Sequence, residues 1–247
     1  DLMLNADNSD AIIVDTAPQI IAAVAVISSV SVAGSSLPVS AELKSLGVII
    51  DSHLRFDIHA RAIIRTCNYH IRALRHVRRM LSAETAVTIG CSLVLSRLDY
   101  CNALLYGAPS ATIHKLQRVQ NTLARVVTQS SGRTSAQPLL QSLHWLPVDQ
   151  RIRFKLASLA FKTRMTSTPS YLNNLLQPHI PSRSLRSSDG PRFVVPRTRT
   201  ELGKRAFAVA APAVWNSIPV DVRACNSLQS FKRHLKAYLF TCAYNLP

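Results

Sequence analysis

Glycine is scarce in this chain: seven residues in 247. A phosphate-cradling loop has little material to form from, and no P-loop, G-x-S-x-G or H-E-x-x-H motif occurs. The cysteines form no framework either. Five of them (Cys67, Cys91, Cys101, Cys225, Cys242) are scattered, odd in number and without a C-x-x-C pair. That excludes a disulfide scaffold and points to a reduced, intracellular chain, nuclear or cytoplasmic and not secreted. Long apolar runs are missing too. The longest, I-I-A-A-V-A-V-I at 20–27, is too short to span a bilayer and runs into Ser28, Ser29 and Ser31, so no membrane partner is expected. No basic segment precedes it, as a signal peptide would require. Internal repeats are absent. The first residue is Asp1, not Met, so the chain reads as a piece of something longer.

Acidic residues are the most informative shortage. The chain holds 29 Lys and Arg against 13 Asp and Glu, a net +16. Residues 1–51 carry one basic residue, Lys44, and six acidic ones, a net −5. Residues 52–247 carry 28 basic and seven acidic, a net +21. Most of the basic residues are Arg, whose planar fork suits phosphate better than the Lys ammonium does. Such an excess favours a polyanionic partner, most simply RNA or DNA.

What is present divides by period. Residues 12–50 are rich in Val, Ile, Ser and Ala. V-I-S-S-V-S-V at 26–32 and S-L-G-V-I-I-D at 45–51 are β-branched and bounded by Gly34, Pro38 and Asp51, which predicts two or three strands. In the second of these, Leu46, Val48 and Ile50 share one face. From Phe56 the period becomes helical. Ile63, Cys67, Ile71, Leu74 and Leu81 predict one long helix to about Met80. Arg61, Arg65, Arg72, Arg75 and Arg79 follow the same spacing and form a basic stripe on another face. Ser82 is placed to cap the next helix, which runs past Leu93 and Val94 toward Leu98 and Tyr100. Further helices are expected at 113–127, at 148–165, at 170–176 and from Ser227, where Leu228, Phe231, Leu235 and Leu239 make the apolar face. Between them, 178–200 interleaves four prolines with Arg183, Arg186, Arg192, Arg197 and Arg199. It reads as an extended basic arm that a partner would order.

Catalytic constellations do not emerge. In S-R-L-D-Y-C-N-A-L-L-Y-G (96–107), Cys101 has no base to lower its pKa, since His114 lies beyond the next turn and Asp99 would raise it. The reading is structural: Leu98, Cys101, Leu104 and Leu105 make a buried face, and Asp99, Tyr100 and Asn102 satisfy helix ends or a neighbouring loop. Cys67-x-x-His70 has ligand spacing but no second pair, so a core Cys beside a solvent-facing His is expected. No pair of Asp residues sits on a strand–turn–strand suited to two-metal phosphoryl transfer.

Nine ordered blocks then carry a resemblance. They are L-M-L-N-A-D-N-S-D (2–10), S-L-G-V-I-I-D-S-H-L-R-F-D-I-H (45–59), L-S-R-L-D-Y-C-N-A-L-L-Y-G (95–107), L-Q-R-V-Q-N-T-L-A-R-V-V (116–127), L-H-W-L-P-V-D-Q-R-I-R-F-K (143–155), P-S-Y-L (169–172), R-S-L-R-S-S (183–188), F-A-V-A-A-P-A-V-W-N-S-I-P (207–219) and S-L-Q-S-F-K-R-H-L-K-A-Y-L-F (227–240). In this order they resemble the C-terminal part of reverse transcriptases of non-LTR retrotransposons (LINE elements, jockey-like group). The resemblance spans almost the whole chain. It implies a mainly α fold: a short β segment from the end of a polymerase palm (1–55), a helical thumb-like part (56–177), then the basic arm with a C-terminal helical extension (178–247).

The family's catalytic Asp pair lies upstream of L-x-L-N and is not in this chain. The resemblance therefore implies a non-catalytic fragment that contributes template–primer binding. Its partners would be RNA and DNA together with the missing palm and fingers. Mg²⁺ would be expected only for the complete polymerase, and this chain calls for no cofactor of its own. Where the family has L-N-x-x-K-T-E, Asn8 takes the position of a Lys that donates a proton to pyrophosphate, and an amide does not supply that proton. This substitution and the Ala/Val/Ser-rich 20–36 suggest decay of the element. The expected nucleic-acid contacts are Arg61, Arg65, Arg72, Arg75 and Arg79 of the stripe and Arg183, Arg186, Arg197 and Arg199 of the arm. A stand-alone nucleic-acid-binding protein derived from such an element, and an inert remnant, are the alternatives.

Overall fold

The computed structural model describes residues 9–32, 34–180 and 190–244. Asn8, Arg183 and Arg186 lie outside them. The described chain is mainly helical with a small β region at its start.

Strands β1 (Ala11–Ile12), β2 (Ser29–Val32) and β3 (Ser35–Ser40) form a mixed sheet in the order β1-β3-β2, and β4 (Glu42–Ser45) pairs antiparallel with β5 (Val48–Asp51). This gives five short strands among the described residues in place of two or three. Val26 does not open a strand. It ends helix α1 (Ala17–Val26), which Pro18 starts and which buries no residue. The three Ala residues of I-I-A-A-V-A-V and Pro18 in the first turn favour a helix, its four Ile and Val residues a strand, and an apolar run this short has no period that separates the two. The stretch 45–51 is likewise not all strand. Leu46 and Gly47 both have positive φ and make the two-residue turn between β4 and β5. Leu46 is therefore 87% exposed while Val48 is buried. Asp51 then stitches the chain into the first long helix. Its carboxylate accepts from the backbone N–H groups of His53, Arg55 and Phe56.

Helix α2 (Asp57–Val77) buries Ala60, Cys67, Ile71 and Leu74, and Ile63 is half-buried. A 3₁₀ turn at Arg78–Met80 follows. Ser82 caps α3 (Ala83–Gly90), its hydroxyl accepting from the Thr85 N–H. The axis continues through a π-helical stretch at Cys91–Leu95 into α4 (Ser96–Asp99). After a 3₁₀ turn at Asn102–Leu105 come α5 (Ser110–Val127), α6 (Ala136–Ser142), α7 (Val148–Thr166) and α8 (Ser170–Asn173). The last elements are α9 (Glu201–Lys204), α10 (Phe207–Asn216), α11 (Val220–Arg223) and α12 (Leu228–Tyr244). One contiguous core runs from Val48 to Tyr244. Its centre is aromatic: Phe161 of α7 stacks on Phe231 of α12 at 4.3 Å, and Trp215 of α10 lies 5.7 Å from Phe231.

The stretch 96–107 is a helix end. Tyr100 terminates α4, and its hydroxyl donates to the Leu46 carbonyl at 2.6 Å. Asp99 holds Arg151 through two bonds of 2.9 Å. Leu98 and Leu105 are buried, but Cys101 is only half-buried and Leu104 is exposed. The anticipated face breaks because Cys101 takes a left-handed conformation, φ 51°, which ends the helical repeat between Leu98 and Leu104.

The arm also differs from expectation over 190–196. Phe193 is buried, its N–H donates to Asn216 Oδ1 and its carbonyl accepts from Asn216 Nδ2. The Pro191 carbonyl accepts from Trp215 Nε1 at 2.8 Å and from Arg223 Nη1 at 2.6 Å. The chain's own core thus orders this part of the arm, because an aromatic anchor outweighs the high proline and arginine content around it.

Candidate nucleic-acid interface

Two helices frame the site. The carboxylate at the start of α2, Asp57, accepts from the buried Thr112 hydroxyl of α5 at 2.6 Å and pairs with Lys115 at 3.5 Å. The Thr112 bond is the main reason that the Asp57 pKa lies below its usual value. At the far end, Arg78 Nε donates to the Val127 carbonyl at 2.8 Å. Start meets start and end meets end, so α2 and α5 run parallel.

Arg61, Arg65, Arg72, Arg75 and Arg79 are all exposed. At 100° per residue the four in α2 point within about 80° of one another, to one side of the buried face, and Arg79 follows in the 3₁₀ turn. None of the five forms an ion pair with a carboxylate among the described residues. Arg61 Nε reaches only the Asp57 backbone carbonyl, at 3.3 Å. From Arg61 to Arg79 the row is about 27 Å long, at about 1.5 Å per residue. That matches about eight phosphates of one duplex strand.

At the C-terminal ends of α2 and α5 the row runs into a cleft of about 620 Å³, lined by Arg75, Arg78, Arg79 and Arg125 with Thr122 and Ser130. No carboxylate lines it. Two C-terminal helix ends contribute about half a negative charge each, far short of four guanidinium groups. Arg78 and Arg125 were not anticipated. Arg78 sits among neighbours of the same type in R-H-V-R-R-M, but its spacing of four from Leu74 and seven from Ile71 puts it on the buried face of α2, a signal that could have found it. Arg125 shares a side of α5 with Lys115 and Arg118, and only the pairing of α2 with α5 brings it near the row.

Of the arm residues, Arg197 and Arg199 are exposed on the extended segment that leads into α9. No family model matches the chain, and neither a curated protein nor a solved structure matches it. The chemistry of the site rests on its own geometry.

Other chemistry-bearing residues lie elsewhere. Cys67 is fully buried, its thiol pushed up to about 11 by burial, and its Sγ lies 3.9 Å from the Val94 carbonyl. His70, half-buried, packs edge-on against Tyr69. Among the described residues no three His, Cys, Asp or Glu side chains gather as a metal site, and no helix is long and apolar enough to cross a membrane.

Proposed function

We propose that this chain binds nucleic acid through the arginine row of α2, in the way that the C-terminal part of a non-LTR retrotransposon reverse transcriptase would hold template and primer without carrying out the polymerase chemistry. One observation carries the reading: five exposed arginines, four on one side of α2 and Arg79 in the turn that follows, have only the Asp57 carboxylate near the Arg61 end to offset them among the described residues. Like charges on one helix repel. Solvent tolerates that repulsion, and a phosphate backbone turns it into binding energy by releasing counterions. The exposed Arg197 and Arg199 would add to the same electrostatic footprint.

The test is binding of the purified chain to RNA and to an RNA–DNA hybrid over a salt series. Changing Arg65, Arg72 and Arg79 together to Gln is expected to weaken binding to all sequences alike. On the hybrid it flattens the log–log salt slope by about 2.7, at about 0.9 per duplex phosphate. The fold is expected to persist, since none of the three is buried. A well-folded triple variant with an unchanged slope removes the α2 row from the interface.

A further inference from the structure

Arg75 and Arg79 of the row line one wall of a groove, and α5 supplies the other. Lys115, Arg118, Thr122 and Arg125 stand at spacings of three, four and three, so they share one side of α5. A second cleft, about 350 Å³, is lined by Ile64 and Asn68 of α2 with Lys115, Arg118 and Thr122 of α5. It adjoins the four-arginine cleft, since Thr122 lines both. The result is a continuous trough along the seam of the two helices. Its α5 rim is cationic throughout and its α2 rim at the C-terminal end, amide and hydroxyl groups alternate with Ile64, Val119 and Val126 along it, and no carboxylate lines either cleft.

Arg78 makes the C-terminal end a built site and not simply a crowded surface. It is 8% exposed. Nε and Nη1 are spent on the carbonyls of Val127 and Leu81, at 2.8 and 2.9 Å, which fixes the guanidinium plane. Nη2 has no protein partner among the described residues, and Arg78 lines the cleft. Arg125 is held in a similar way, its Nε donating to the Thr134 carbonyl at 2.8 Å. Preset guanidinium groups lose little freedom when they take up a phosphate. Arg118, Arg75 and Arg79 have no side-chain partner among the described residues.

We infer that this trough is a channel for the phosphodiester backbone of one nucleic-acid strand, gripped from both sides and anchored where Arg75, Arg78, Arg79 and Arg125 converge. A concave seam between two packed helices, whose axes lie about 8–10 Å apart, admits one backbone but not the width of a duplex. When the ligand is double-stranded, only one of its strands enters. This inference rests on the proposed nucleic-acid function and adds α5 to it.

The experiment compares Arg118→Gln/Arg125→Gln with the α2 triple variant, on a single-stranded RNA and on an RNA–DNA hybrid. Arg118→Gln alone serves as a second variant, because its side chain supports no other group. Thermal unfolding confirms that each is folded. Since one strand occupies the channel, the double variant loses two phosphate contacts on either ligand. The salt slope is expected to fall by about 1.4 on the single strand and about 1.8 on the hybrid. Arg118→Gln alone loses half of that.

Unchanged slopes in the folded α5 variants, beside a flattened slope in the α2 triple, would overturn the channel and leave the proposed function standing. Unchanged slopes in both sets would overturn the two together. A loss confined to the hybrid would place the arginines against a whole duplex and overturn the one-strand assignment. Inorganic pyrophosphate tests for a free-anion site. If pyrophosphate binds the cleft and saturating oligonucleotide does not displace it, the strand is the wrong ligand.

Discussion

Arg78 shows how one side chain joins stability to the candidate site. A guanidinium is among the costliest groups to bury, and it persists here because two backbone carbonyls at helix ends need donors. Its own carbonyl also accepts, from Gln129 Nε2 at 3.4 Å. Replacing Arg78 with Met keeps the apolar stem and leaves the Val127 and Leu81 carbonyls without it. Arg78→Met is expected to cost ~2–4 kcal/mol, at about 1–3 kcal/mol for each buried group left unsatisfied, less what water recovers. Urea unfolding measures this. Arg79→Met, next in sequence and exposed, is expected to change stability by no more than about 0.5 kcal/mol. Equal costs at the two positions would show that the fold does not depend on the buried guanidinium.

At the scale of elements, the parallel pairing of α2 with α5 is pinned at both ends, and the Asp57–Thr112 bond is the more testable pin. Thr112 is fully buried, so Thr112→Val conserves volume and removes only the donor. The variant is expected to lose ~1–2 kcal/mol at neutral pH, below the ~1.5–3 kcal/mol of a hydrogen bond to a charged acceptor because solvent screens the partly exposed Asp57. The pH dependence has a definite sign. The Asp57 pKa is depressed in the folded protein, chiefly by this bond. Its stabilisation is therefore present above the unfolded value of about 3.9 and is lost as pH falls through the folded value. The wild-type advantage over Thr112→Val should accordingly shrink below about pH 4. Denaturant melts at neutral and acid pH check this, and a difference that stays constant across the range would assign the effect to packing.

The whole molecule is held by the aromatic centre, where α7, α10 and α12 meet. Trp215 and Phe231 are both 0% exposed, and Phe161 stacks between the helices that carry them. The Trp215 indole N–H donates to Pro191, so this cluster also ties down residues 190–196. Phe231→Ala is expected to cost ~3–5 kcal/mol, through lost transfer energy and the cavity left behind. A single unfolding transition shifted to lower urea, followed in parallel by circular dichroism and by tryptophan fluorescence, would report one cooperative core. Two separated transitions would show that α10 and α12 fold independently of α7.

Much of this was legible from periodicity and composition. A 3.6-residue repeat of Cys67, Ile71 and Leu74 against a row of arginines can only be an amphipathic helix, because one face needs burial and the other rejects it. The apolar face of α12, the Ser82 cap and the exposed basic row follow from the same local physics. The short elements were less readable. Leu46 looks apolar enough for a strand, but Leu46-Gly47 takes the backbone shape of a hairpin turn, and cross-strand pairing decides between the two. The apolar run of α1 and the proline-bearing α10 carry no decisive period. Phe193 shows its anchoring role only against Trp215, 5.5 Å away. Arg78 and Arg125 lie 47 residues apart in the chain, and both come to one cleft only because α5 packs parallel to α2. Local sequence thus determined which residues form helices and which faces carry charge. Only the tertiary structure decided which charges face each other, because that depends on how the buried faces pack and no local repeat encodes it.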